Sequence, residues 1–199
     1  MTTSTSQLLN RREVVAQLLK KRGDALVVTS LGNPTFDVAA AGDTPHNFYL
    51  WGAMGGAVMV GMGMALAQPE RRVVVFTGDG EMMMGIGSLA TVAVEKPANL
   101  AVIVLNNEHY AETGMQAAHA GRGVNLTGIA KASGFEETYD IRTEGDVEDL
   151  GSRLYSKKGL VFAAVRISTD PSPVALPPRD GPYLRSRFRE ALLGASALK

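Results

Sequence analysis

The sequence has no cysteine. That one absence removes disulfide frameworks, thiolate nucleophiles, iron–sulfur ligation and cysteine-type zinc sites together. It fits a reducing cytoplasm, the compartment expected for this chain. An excess of one charge is also missing, since 20 Lys and Arg balance 20 Asp and Glu. A neutral chain has no broad electrostatic footprint for nucleic acid or an anionic membrane, so neither is expected as a partner. The first 25 residues contain no apolar stretch of the kind a secretory signal needs. An uninterrupted membrane-length apolar run is lacking too. The nearest approach, 48–67, carries no charge but is broken by glycines and poor in Leu, Ile and Phe. The strand-like Val73–Phe76 follows it at once. It reads as a glycine-rich turn leading into a tightly buried helix.

What is present suits one globular domain with a sizeable core: 199 residues, 45% of them apolar and only 20% charged. Apolar runs of strand length stand at Ala25–Thr29, Val73–Phe76, Leu100–Leu105 and Leu160–Ile167, with weaker candidates at Phe48–Leu50 and Glu137–Tyr139. Helical patterns lie around them, at 7–22, Met54–Ala67, Gly87–Glu95, Leu126–Ser133 and Gly145–Tyr155. Gly32, Asn33 and Pro34 mark a loop and a new helix start. Continuous apolar strands alternating with helices predict an α/β fold. Its sheet is doubly wound and mainly parallel, with helices on both faces. Residues 1–168 would form this domain. Residues 169–199 would add a proline-rich strap, holding five of the nine prolines over 169–182, and a terminal helix over 183–194.

A doubly wound sheet keeps its ligands at the carboxyl ends of its strands. Gly78-Asp79-Gly80-Glu81 follows one apolar strand, and Asn106-Asn107-Glu108-His109-Tyr110 follows the next. Asp79 is a hard oxygen ligand in a tight turn, flanked by glycines that let backbone approach an anion. The amide oxygen of Asn107 and a backbone carbonyl just beyond would complete the protein share of a Mg²⁺ shell. Either half alone reads more simply as a turn or a cap. Together, with 25 residues between Gly80 and Asn106, they form one pattern.

That pattern resembles the Gly-Asp-Gly…Asn-Asn motif of the thiamine diphosphate enzymes. Leu50-Trp51-Gly52-Ala53-Met54-Gly55 is similar to the segment of 2-oxo acid decarboxylases that holds the middle of the cofactor. The narrower likeness is to the β subunits of sulfopyruvate and phosphonopyruvate decarboxylase-like enzymes. It is supported by Asn47-Phe48-Tyr49 and Thr113-Gly114-Met115-Gln116 and runs from about residue 10 to residue 167.

The resemblance implies the thiamine diphosphate-binding fold, with thiamine diphosphate and Mg²⁺ as cofactors. It implies cofactor contacts at Gly52 (carbonyl), Met54 (apolar wedge), Gly78, Asp79, Gly80, Glu81 and Asn107, with Tyr110 beside them. The metal would be held by Asp79, Asn107 and the carbonyl of His109. Glu81 would contribute its backbone amide and turn its carboxylate away from the diphosphate. Where family members carry a small pair after the Asn, this chain has Glu108-His109. Glu108, His109, Tyr110, Glu112 and Gln116 are expected to face the reacting end, with His109 and Glu112 as catalytic candidates.

The implied reaction is decarboxylation of a small anionic 2-oxo acid to an aldehyde and CO₂. A carboligase, an oxidative 2-oxo acid dehydrogenase component and a non-catalytic regulatory subunit stay open as alternatives. The family's activating glutamate belongs to a pyrimidine-binding domain for which this chain has no room. The resemblance therefore implies a separate α subunit and a hetero-oligomer built on dimers. A nicotinamide-binding Rossmann domain fails at its first requirement, because Ser30-Leu31-Gly32-Asn33-Pro34 is not G-x-G-x-x-G. The Met82-Met83-Met84 run is read as core or subunit packing, and His46 and His119 as ordinary loop positions.

Overall fold

The computed structural model describes residues 8–156 and 158–198. Six parallel strands form the sheet: β1 (Leu26–Thr29), β2 (Asn47–Tyr49), β3 (Val73–Gly78), β4 (Leu100–Asn106), β7 (Glu137–Ile141) and β8 (Val161–Arg166), in the order β2-β1-β3-β4-β8-β7. A short antiparallel hairpin of β5 (His109–Tyr110) and β6 (Gln116–Ala117) stands apart from it.

The central strands are buried along their whole length, which requires cover on both faces. Their alternating side chains sort into two cores. Val74, Phe76, Ala101 and Ile103 pack with Val15 and Leu18 of α1 (Arg11–Leu19) and Leu150 and Leu154 of α7 (Glu144–Ser156). Val73, Val75, Val102 and Val104 pack with α3 (Ala57–Ala67), α5 (Ser88–Glu95) and α6 (Leu126–Ser133). Gly61 sits where a Cβ would run into Val75, so α3 lies closer to β3 than any other residue type at 61 would allow. The doubly wound arrangement is therefore as expected.

Local signals account for most boundaries. Asn10 and Asn125 cap α1 and α6 through their side chains, and Gly134 ends α6 in a left-handed conformation. Asp180 caps α8 (Gly181–Leu193), whose first turn takes Pro182. Two expectations shift. The 7–22 helix is confined to α1 within the described residues. The Met54–Ala67 helix begins only at Ala57, because 50–56 is spent on a turn in which Trp51, Gly52 and Gly55 all take positive φ.

Two helices extend what their starts suggested. α2 (Gly32–Ala40) follows the Gly32-Asn33-Pro34 signal, and α4 (Asp79–Met84) opens directly on the Gly-Asp-Gly turn. Asp37 lies fully buried in α2, bonded to Arg11 at 2.6 Å and to Arg12 at 2.9 Å, and so pins α2 to α1. The proline-rich segment docks through the Trp51 indole N–H, which donates to the Pro178 carbonyl at 2.7 Å, and Arg179 stacks over the same ring. No helix of the described residues is long and apolar enough to cross a membrane.

Candidate active site

Chain order reverses across the sheet between β1 and β3, and a cleft of ≈ 180 Å³ opens at that switch point, at the carboxyl ends of the strands. β1 contributes Leu31 and Gly32, β3 the Gly78-Asp79-Gly80-Glu81 turn, and β4 Leu105 and Asn107. Met54 from the 50–56 turn and His109, Tyr110 and Glu112 from the hairpin complete the lining. Two segments 25 residues apart in sequence thus meet because β3 and β4 pair in register, Gly78 beside Leu105.

Asp79 is buried, and its Oδ2 has no hydrogen-bond partner among the described residues. Burial pushes its carboxyl up to about 6, helped by the nearby Glu108 and opposed by the Asp79 and Gly80 amides and by Arg166. Glu81 is buried too, and burial again raises its pKa. Its carboxyl lies among Ser30, Thr77 and the backbone of Gly55 and Gly78, yet Oε1 lacks a partner. Two uncompensated acceptors beneath one cleft are costly unless cations or donors arrive from outside the chain.

Backbone crowding fixes the rest. A Cβ on Gly80 would enter the Tyr110 ring, and the Tyr110 hydroxyl is 2.9 Å from His119 Nδ1, so the hairpin lies directly on the Gly-Asp-Gly turn. Gly85, at the end of α4, abuts the Gly55 carbonyl so closely that neither residue has room for a side chain. Met54 projects from this junction, 43% exposed, with Met84 beside it at 64%, while Met82 is core. The methionine run is thus divided between core and surface.

Asn107 Oδ1 accepts the His109 amide at 3.0 Å, and the Asn107 carbonyl lies 2.9 Å from His109 Nδ1. A carbonyl only accepts, so this contact requires the Nδ1–H tautomer and leaves Nε2 as the basic nitrogen. The Glu112 carboxylate is pressed against Gly32, where φ is +68° and a Cβ would strike it. Three of the expected residues have partners within the chain. Glu108 forms an ion pair with Arg166. Gln116 bonds within the hairpin, to Thr113. Gly52 stands outside the lining, its carbonyl already accepting the Met54 amide at 2.6 Å. Of the histidines, His46 precedes β2 away from the cleft, whereas His119 belongs to the Tyr110 contact.

An acceptor-rich cleft thus stands at the switch point, lined by a methionine and roofed by a hairpin. The C-terminal TPP binding domain of thiamine pyrophosphate enzymes matches residues 31–165. Sulfopyruvate decarboxylase subunit beta of Methanothermobacter thermautotrophicus is 34% identical over 189 residues, covering 95% of this chain and 98% of the relative. Sulfopyruvate decarboxylase of Methanosarcina acetivorans is 31% identical over 92% of this chain, which spans 47% of that relative. Benzoylformate decarboxylase of Polynucleobacter necessarius superposes with a TM-score of 0.71 at 18% identity, over 87% of this chain and 36% of that one, and shares the fold. The chain belongs to the thiamine pyrophosphate enzymes through their C-terminal cofactor-binding domain, and within them to the family of sulfopyruvate decarboxylase beta subunits.

Proposed function

We propose that this chain is the cofactor-binding subunit of a two-subunit, thiamine diphosphate- and Mg²⁺-dependent 2-oxo acid decarboxylase. The substrate would be a small anionic 2-oxo acid of the sulfopyruvate or phosphonopyruvate kind, released as an aldehyde and CO₂. The observation that carries the reading is the buried, unpartnered Asp79 Oδ2 in a cleft that Asn107 also lines. A hard divalent cation would satisfy both. Gly78, with open space where a Cβ would stand, leaves the backbone bare for diphosphate oxygens. When bound, thiamine diphosphate supplies the electron sink on which a 2-oxo acid loses CO₂.

The residues of this chain bind, orient and move protons around that group. Asp79, Asn107 and the His109 carbonyl would hold the metal. Met54 would offer a large, adaptable apolar face to the middle of the cofactor. His109 Nε2 and the Glu112 carboxylate line the cleft at its hairpin side, where a proton must be delivered to the product carbon. Tyr110 holds that hairpin onto Gly80.

A second chain is supported by two observations. The one-chain relative from Methanosarcina is about twice as long as this one. Met54 is exposed in the lining of the cleft, and Met84, at the end of α4, is exposed too, as a subunit contact would need. That second chain would carry the pyrimidine-binding domain and its activating glutamate.

The test is reconstitution with a pyrimidine-domain partner, following CO₂ release from sulfopyruvate and phosphonopyruvate. Activity is expected only when both chains, Mg²⁺ and thiamine diphosphate are present. Turnover by this chain alone would overturn the two-subunit reading. A reconstituted complex that binds cofactor but releases no CO₂ from either acid would overturn the substrate assignment.

A further inference from the structure

The opposite edge of the sheet, where the strands begin, carries a second basin of ≈ 340 Å³. Arg22 reaches it from the turn after α1, Arg71 and Arg72 from the loop before β3, Tyr155 from the last turn of α7 and Lys158 from the connection between α7 and β8. The loops entering adjacent strands are far apart in sequence, and the order β1-β3-β4-β8 gathers them.

Some of this basic charge has structural work. Arg22 donates to Asn47 Oδ1 and, at 2.7 Å, to the Ala25 carbonyl, and Arg72 Nη1 donates to the Gly159 carbonyl at 2.7 Å. The rest does not. Arg71 Nη1, Arg72 Nε and Nη2 and the Tyr155 hydroxyl are all buried atoms with no hydrogen-bond partner among the described residues. Four orphaned donor groups on three side chains lining one basin match an acceptor-only ligand with several oxygens.

The local carboxylates do not neutralise them. Asp24 approaches Arg71 only to 3.8 Å and is 74% exposed, and Glu70 meets Lys158 at 3.3 Å and is 84% exposed, so solvent screens both. Glu137, which also faces Arg72, already accepts the Tyr139 hydroxyl at 2.7 Å. Positive potential reaches His46 at the same edge, where burial and then Arg71 and Arg22 lower its pKa. Burial pulls Arg72 down to about 10, which leaves it charged at neutral pH.

We propose that this basin binds a small tetrahedral oxyanion, of the phosphate or sulfate class, between Arg71, Arg72 and the Tyr155 hydroxyl, with Arg22 and Lys158 at its rim. Arg72 would present a fork of Nε and Nη2 to the anion, Arg71 its Nη1 and Tyr155 a single O–H. Such a site lies across the whole sheet from the cofactor cleft and does not depend on how that cleft is used.

The test titrates the full chain with inorganic phosphate, and separately with sulfate, at ionic strength held constant with chloride. Melting temperature and ³¹P line width are the readouts. A saturable rise in melting temperature with phosphate is expected, and about tenfold weaker binding for Arg72→Met and for Tyr155→Phe. The second variant removes only a hydroxyl, so it keeps its packing if the first fails to fold. Asp79→Ala is expected to leave phosphate affinity unchanged, which separates this basin from the cleft.

Equal response to phosphate and sulfate would identify a reader of tetrahedral charge, and phosphate alone a reader of phosphoryl groups; both support the site. Acetate binding as tightly as phosphate, no saturation by either anion, or affinity indifferent to Tyr155→Phe would each overturn it.

Discussion

The two edges of the sheet are electrostatic opposites built from the same economy of residues. At the carboxyl edge, Asp79 and Glu81 each bury one carboxylate oxygen without a donor. At the amino edge, Arg71, Arg72 and Tyr155 bury donors with no acceptors. A protein that merely folds would bring such groups together or expose them. Keeping them apart, across four parallel strands, costs stability at both ends and leaves two openings of opposite polarity. The comparison teaches that each edge presents unpartnered groups of one polarity, acceptors where the strands end and donors where they begin.

The sharpest way to break that comparison is to remove one acceptor. Asp79→Ala is expected to weaken Mg²⁺-dependent thiamine diphosphate binding by at least about a hundredfold, read by calorimetric titration. Unchanged affinity would dissociate the orphaned carboxylate from the cofactor.

Next in size is backbone crowding. Gly85→Ala forces a methyl into the Gly55 carbonyl, so chemical denaturation should show a loss of roughly 1–3 kcal/mol together with weakened cofactor binding. A stable variant with full affinity would mean that the 50–56 turn and α4 are not coupled.

A third prediction concerns the cost itself, in the metal-free chain. The Asp79 carboxyl is raised to about 6 by burial, so between its unfolded value near 4 and about 6 the folded state holds a proton that the unfolded state has lost. Stability contributed by the neutral acid is therefore present at low pH and is lost as pH rises through about 6, by roughly 1–3 kcal/mol. Asp79→Asn should flatten that part of the pH–stability profile. An unaltered profile would show that the penalty lies elsewhere.

The smallest effect belongs to the other edge. Lys158→Met breaks only an exposed pair with Glu70, so stability should change by less than about 0.5 kcal/mol while phosphate affinity falls about twofold. A large stability change would mark Lys158 as structural rather than as part of the anion basin's rim.

Much of the fold was legible because buried parallel strands read as unbroken apolar runs. Val73–Phe76 and Leu100–Leu105 were visible on that ground, and α6 as the helical pattern over Leu126–Ser133. The reading weakened where tertiary contacts decide the local state. Asp37, which the sequence pattern does not single out, is the buried partner of two arginines 25 and 26 positions away. The β5–β6 hairpin has two residues per strand, too few for any periodicity to register.

The cleft's centre was legible for a different reason. Gly78-Asp79-Gly80 and Asn106-Asn107 each follow a recognisable strand, so their meeting follows from sheet order alone. Its rim was not, since Glu108's turn toward Arg166 depends on a left-handed residue and a distant strand end. The anion basin was invisible as a unit. Its cations sit in three unrelated loops, at Arg22, at Arg71 and Arg72, and at Lys158.

The abutment of Gly55 on Gly85 has a consequence for how this site can change. It joins the segment that carries Met54 to the segment that carries Asp79 through main chain, with no side chain between them to enlarge or trim. The distance from wedge to carboxylate is thus inherited from the covalent skeleton and is not open to ordinary substitution. Laboratory evolution toward new 2-oxo acids should leave this junction untouched and find its useful variation in the hairpin, at His109, Glu112 and Thr113, where side chains rather than backbone set the dimensions.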